Sequence, residues 1–219
     1  MKYAMLATAG LALATTATAL PEQQGTGKLT LELGATANLA TKDIVSDPIV
    51  GGIKVHTAGA DLTAVYARNA RHALTLRLSY ASGEANESTL LGTQVYDVEG
   101  KLTSICLMPG YRYTRQLSKK VQAYAGAGIG LMLHQAKESE SLDGQKWVDV
   151  KDSAYGLAAA GELGLVYAKS ERLRFFAAYR LSASTARPEL KWSDGETTYS
   201  AKLNAQTYHS LSVGAGWRF

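Results

Sequence analysis

Period-two alternation, sustained in eight separate segments, constrains this chain more than any other feature. In residues 29–39, Leu29, Leu31, Leu33, Ala35, Ala37 and Leu39 share one parity, while Thr30, Glu32, Gly34, Thr36 and Asn38 share the other. Successive side chains of a strand point to opposite faces, so this segment reads as a strand with one apolar face. The pattern returns at about 58–68, 72–82, 102–114, 121–134, 153–168, 173–186 and 205–219. Connections of four to six residues around 69–71, 115–120 and 169–172 alternate with connections of about seventeen at 41–57, 83–100, 135–152 and 187–204. An even number of strands joined in this way predicts an all-β fold, an eight-stranded antiparallel up-and-down barrel with two unlike ends.

The side chains decide which face is inside. The polar parity is rich in Gly126, Gly128, Gly130, Gly156, Gly164, Gly214, Gly216, Ser210 and Ser212, small residues that suit a narrow lumen. The other parity carries Leu74, Leu76, Leu78 and Tyr80, then Val121 through Leu133, then Leu211, Val213, Ala215, Trp217 and Phe219, with no charge in these segments. Exposed to water, a surface so apolar would aggregate. In lipid it is required, and a closed barrel is the β-structure that satisfies every backbone N–H and C=O there. Tyr66, Tyr111, Tyr113, Tyr167, Phe175, Trp217 and Phe219 collect toward the short-turn end and read as an interfacial aromatic girdle. The expectation is a transmembrane barrel with short periplasmic turns and four long extracellular loops.

Other classes are excluded by composition. Past the N-terminus no stretch reaches the roughly 20 apolar residues of a membrane helix, and mean hydropathy is −0.10. The net charge of +4 comes from dispersed residues rather than a basic patch interleaved with aromatics, so no nucleic-acid partner is expected. Met1-Lys2, the small apolar run Ala4–Ala14 and the Ala17-Thr18-Ala19 triplet have the layout of a secretory leader. Residues 1–19 are therefore expected to be a cleaved signal peptide, 20–27 a short periplasmic segment and 28–219 the barrel. The single cysteine, Cys106, has no partner for an intrachain disulfide and is expected to be buried and inert.

The chain ends Ser212-Val213-Gly214-Ala215-Gly216-Trp217-Arg218-Phe219. This resembles the C-terminal assembly signal of bacterial outer-membrane barrels, with a polar residue at Ser212, glycine at Gly214, an aromatic at Trp217 and terminal Phe219. With the leader and the eight segments, the chain resembles the superfamily of small outer-membrane barrels that includes OmpX, Ail and the OmpA transmembrane domain. The resemblance implies export to the outer membrane, surroundings of outer-membrane lipid and lipopolysaccharide, and capture by the barrel-assembly machinery during biogenesis.

Glu32, Asp61, Arg77, Arg112, Glu162, Arg174, Arg180 and Arg218 fall on the inward parity. Opposite charges confined in a narrow interior should pair. Across the tight turn at 169–172, a register sum of 342 sets Glu162 opposite Arg180, and a sum of 340 leaves them diagonal neighbours. The expectation is a network centred on Glu162, Arg180, Arg77 and Glu32 that plugs the lumen, since eight strands leave an interior that side chains nearly fill. A gate in a narrow porin-like pore is the alternative use of the same charges.

The four long connections carry eight basic and fourteen acidic residues, whereas the three short ones, counted over 68–71, 115–120 and 169–172, carry seven basic and one acidic. Trp147, Trp192 and Tyr199 lie in the long connections and are candidate contacts for a host-cell or matrix ligand, or else pack loop on loop. Adhesion, surface recognition or envelope integrity is the expected role. A third reading, a lipid-modifying enzyme, needs a Ser and a His on one face with a carboxylate behind. His209 and Ser210 are adjacent and so point to opposite faces, His134 shows no spaced nucleophile, and neither His56 nor His72 belongs to a motif. No catalytic residue, cofactor or metal is expected.

Overall fold

A computed structural model of the chain describes residues 27–41, 45–47, 51–91, 93–193 and 196–219. The leader segment and most of the 20–27 segment lie outside the described residues. Among the described residues twelve strands run in chain order: β1 (Lys28–Ala40), β2 (Val45–Asp47), β3 (Gly51–Ile53), β4 (Thr57–Ala67), β5 (His72–Leu91), β6 (Gln94–Gln116), β7 (Val121–Leu142), β8 (Gln145–Ala168), β9 (Leu173–Ser184), β10 (Glu189–Ser193), β11 (Thr198–Lys202) and β12 (Thr207–Arg218). Eight of them close a barrel in the order β1-β12-β9-β8-β7-β6-β5-β4, every neighbour antiparallel, with β1 paired to both β12 and β4. Closure leaves no open edge, which is the condition for a sheet to cross lipid.

The parity is as expected over the membrane belt. Thr30, Glu32 and Thr36 of β1 are buried, while Leu33 is 63% exposed. Leu74, Leu76, Leu78, Ile129, Leu131, Leu163, Leu165, Leu211 and Val213 likewise form an exposed apolar surface. Tyr66, Tyr111, Tyr113, Tyr167, Phe175, Trp217 and Phe219 are all exposed at the short-turn end. The short turns close on side chains suited to them: Asn69 Oδ1 accepts from the backbone N–H groups of Arg71 and His72, and Ser170 Oγ from that of Leu173.

The long connections differ from the expectation. Segments 83–100 and 135–152 are not loops. β5 and β6 remain paired out to Leu91 and Gln94, and β7 and β8 out to Leu142 and Gln145, where Asp143 and Gly144 turn the chain with positive φ. β5, β6, β7 and β8 therefore rise beyond the belt as one four-stranded wall, while the other barrel strands stop at Ala40, Thr57, Ser184 and Thr207. In this wall the amphipathicity inverts. Tyr96, Val98, Leu102, Ala136 and Val148 are buried on the concave side, and Glu84, Lys101, Lys137 and Lys151 face out. Outside the membrane, water rather than lipid meets the convex face, so the apolar residues turn inward. Segment 187–204 holds the β10–β11 hairpin, which packs against β8.

The wall ladder has one irregularity inside the belt. Between β6 and β7 the register runs through Leu107 opposite Leu131 and resumes at Gly110 opposite Gly128, skipping Met108 and Pro109. Proline has no N–H to donate to a ladder, and this accounts for the gap.

Candidate functional site: a cross-braced lumen beneath an extracellular wall

The lumen is occupied in layers. Nearest the short turns, Arg112 reaches from β6 to Glu32 on β1, forming two parallel hydrogen bonds of 2.7 and 2.8 Å. Its guanidinium also lies 4.0 Å from the centre of the Tyr124 ring. That ring fits because Gly164 has no Cβ: one built there would stand 2.6 Å from Tyr124 Cε1. Such fork-to-carboxylate pairs are the strong form of ion pair, and stacking on an aromatic face adds to it.

One layer further, Glu162 is the hub. Arg180, directly opposite on β9, donates from Nε at 3.0 Å, and Arg77 donates from Nη2 across the lumen. Arg112 Nη2 lies 3.6 Å from the other Glu162 oxygen. Arg180 in turn donates from Nη2 to Asp61 on β4 at 3.0 Å, and Asp61 accepts from Thr36 at 2.6 Å. Three carboxylates thus face three guanidinium groups. The pairs Arg77–Glu162, Arg112–Glu32 and Arg180–Asp61 each join strands three positions apart in the barrel order, so they span the interior. The sequence-derived set of Glu32, Arg77, Glu162 and Arg180 is brought together here, but Glu32 meets the others only through Arg112. Asp61 and Arg112, inward by parity, are the members that sequence reasoning left outside the centre.

Above this layer Ser79, Ser104, Ser182 and Ser210 line a space of about 50 Å³, and other spaces of about 20 and 40 Å³ lie beside the ion pairs. Each has room for a few waters at most. Higher still, Val55, Tyr96, Val98, Leu102, Leu190, Leu203 and Tyr208 form one buried apolar cluster. It joins the concave face of the wall to Val55 before β4, Leu190 of β10, Leu203 after β11 and Tyr208 of β12.

His134 lies just below this cluster, 1% exposed, and its Nδ1 is 2.7 Å from Ser104 Oγ. The two residues are register partners on β6 and β7, so a serine does accompany this histidine, contrary to the sequence reading. Its Nε2 has no hydrogen-bond partner, and no group of three His, Cys, Asp or Glu side chains is placed to hold a metal ion among the described residues. His209 is exposed on the lipid face, where Nδ1 and the Tyr179 hydroxyl are 2.5 Å apart, and Ser210 is buried in the lumen. Cys106 is buried.

Trp192 and Tyr199 face each other across β10 and β11 with their rings stacked, centroids 5.9 Å apart. The Trp147 side chain lies outside the described residues, although its backbone belongs to β8. At the C-terminus Ser212 is buried, Trp217 and Phe219 face outward, and Phe219 N donates to Leu29 O at 2.9 Å. A Cβ on Gly214 would collide with Leu33 O and stand 2.6 Å from Gly34 Cα, so only glycine lets β12 lie this close to β1.

Comparison with known proteins is consistent with this geometry. Residues 6–219 match the model of the outer membrane protein beta-barrel domain. Among solved structures, OprG of Pseudomonas aeruginosa aligns with a TM-score of 0.57 at 17% identity, covering 89% of this chain and 96% of its own. Ail of Yersinia pestis aligns with a TM-score of 0.51 at 18% identity, covering 89% of this chain and all of its own. A major outer membrane protein of Thermus thermophilus aligns with a TM-score of 0.50 at 11% identity, covering 87% and 99%. No curated protein sequence matches the chain. Closed strand order, lipid-facing parity and the domain match together place the chain in the outer membrane protein beta-barrel domain family, as an eight-stranded barrel of the bacterial outer membrane.

Proposed function

We propose that this protein is a surface-recognition barrel: its lumen is a closed brace, and its working part is the extracellular wall with the β10–β11 hairpin. The observation that carries the reading is the double closure of the interior. Six paired charges fill two adjacent layers, and an apolar cluster closes the interior above them. A buried pair survives only when each charge is matched, and each of these six charges has an opposite partner, so the brace resists opening. Transport is thereby disfavoured, while the projecting strands are long, paired and anchored. The Trp192–Tyr199 stack on the β10–β11 hairpin beside the wall supplies the large, rigid aromatic area that recognition surfaces use.

The solved structure of Ail, an attachment invasion locus protein, contains a heparin analogue, sucrose octasulfate. By analogy of architecture, the ligand class proposed for the present wall is a host-cell or matrix component. The C-terminal strand is proposed to be read by the barrel-assembly machinery through Trp217 and Phe219, with Gly214 holding β12 against β1.

The test compares intact cells carrying the natural protein with cells carrying a trimmed one. In the trimmed protein, tight turns replace the β5–β6 hairpin beyond Glu84 and Lys101 and the β7–β8 hairpin beyond Lys137 and Lys151. Gel mobility with and without boiling verifies that both are folded. Binding to epithelial cells and immobilised matrix proteins is expected to be lost on trimming. Unchanged binding would remove the recognition reading.

A further inference from the structure

We infer that the lumen carries a binding site for a soft monovalent metal ion, copper(I), built on Cys106 and Met132 with Met108 and His134 as flanking donors. The observation is where the sulfur atoms lie. The chain has one cysteine and four methionines, and two of those, Met1 and Met5, belong to the N-terminal segment 1–19. Residues 28–219 therefore hold three sulfur atoms, and all three meet in one buried cluster of Cys106, Met108, Met132 and Ala158. Methionine that merely fills gaps in a core has no reason to collect beside the single cysteine. Nor does this level of the barrel call for apolar packing, since Thr36, Ser79, Ser104, Ser182 and Ser210 line the same space as the three sulfur residues.

The registers bring the donors onto one face. Cys106 on β6 stands directly opposite Met132 on β7, a pairing that sets Cβ atoms about 5 Å apart, so a thioether and a thiol can share one ion. Met108 follows two residues along β6 on the same inward face. Its side chain lies against Gly128, where a Cβ would stand 3.0 Å from Met108 Sδ, and its unbranched chain can rotate that sulfur toward the Cys106 rung. His134 occupies the next rung outward, on the same face as Met132. Its Nδ1 is held 2.7 Å from Ser104 Oγ, and its buried Nε2 has no hydrogen-bond partner among the described residues. A ligating histidine has this form, with one ring nitrogen oriented by a neighbour and the other left for the metal.

Donor chemistry and charge together select the ion. Thiolate and thioether are soft ligands, which favour copper(I) over hard cations. Binding exchanges one proton for one metal ion: the Cys106 S–H bond breaks, an S–Cu bond forms, H⁺ leaves, and no oxidation state changes. The charge of the lumen is therefore unaltered. That condition is strict here, because Arg77 and Arg180 line the same space and are already matched by Glu162 and Asp61. A divalent ion in the same place would add one uncompensated positive charge beside two guanidinium groups, a costly state in a buried interior. This inference does not depend on what the wall recognises beyond the membrane.

The test refolds the natural chain in detergent and titrates it, free of oxygen and with ascorbate present, against the coloured copper(I) complex of bicinchoninate. In a second arm copper(I) is present throughout refolding, so that slow entry into a closed lumen is not mistaken for the lack of a site. The natural chain should withdraw one copper(I) per chain, and X-ray absorption at the copper edge should show sulfur neighbours. Cys106→Ser should weaken binding about 100-fold or more and Met132→Leu about ten-fold or more, since even changes behind the ligands cost about 10–100-fold. Gel mobility with and without boiling verifies that each variant is folded, and should neither fold, the absorption spectrum of the natural chain decides. No uptake by the natural chain in either arm, or undiminished uptake by both sulfur variants, would overturn the inference. So would a first shell of nitrogen and oxygen alone, or equal uptake of zinc(II).

Discussion

Replacing Glu162 by glutamine tests the brace at its hub. The substitution keeps size and hydrogen-bonding capacity but removes one of three carboxylates, leaving three guanidinium groups against Glu32 and Asp61 in a narrow, buried interior. The loss is unevenly shared. Arg180 retains Asp61 at 3.0 Å, and Arg112 retains both oxygens of Glu32 at 2.7 and 2.8 Å. Among the described residues Arg77 has Glu162 as its one ion-pair partner, and without it keeps a hydrogen bond of 3.2 Å to Thr63. Breaking a buried pair from one side costs about 3–5 kcal/mol. Because two of the three arginines keep a carboxylate, Glu162→Gln is expected near the lower limit, about 3 kcal/mol, and most of it should be coupled to Arg77. The assay is reversible urea unfolding of the barrel in lipid vesicles, run as a double-mutant cycle. Glu162→Gln with Arg77→Gln should recover about 2 kcal/mol relative to the sum of the single changes. Glu162→Gln with Arg112→Gln should recover little, since that pair orphans Glu32. Additive effects at Arg77, or a cost below about 1 kcal/mol for Glu162→Gln, would refute the reasoning.

Gly164→Ala should drive Tyr124 off the Arg112 guanidinium, because the new methyl would stand 2.6 Å from the ring at Cε1. A cost of about 1–3 kcal/mol in the same unfolding assay is expected, largely relieved by adding Tyr124→Leu. Cys106, 5% exposed, should resist maleimide in intact outer membranes and react once the barrel is unfolded in urea. Edman sequencing of the protein from outer-membrane fractions should begin at Leu20, following removal of the leader.

Much of the barrel was legible in the sequence because lipid imposes a simple rule. Over the belt, parity separates Leu74, Leu76 and Leu78 from Thr75, Arg77 and Ser79, and the structure keeps that separation. Legibility failed where the solvent changes. Beyond Tyr80 and Ile105 the outward residues become polar and the inward ones apolar, so a search for apolar-outward alternation stops although the strands continue. The inverted signal was present: Tyr96 and Val98 alternate with Asp97 and Glu99, and Val148 and Val150 with Asp149 and Lys151.

The lumen shows a second boundary. Parity places Asp61 and Arg112 inward, but contacts across the interior depend on the stagger of strands that are not neighbours, and alternation carries no information about that.

Single-channel recording of the natural chain in planar bilayers tests the central claim most directly. A lumen closed by matched charges below and an apolar cluster above should give a silent bilayer across the physiological voltage range. Large, steady openings would contradict the account, and would make the lumen rather than the wall the working part of the protein.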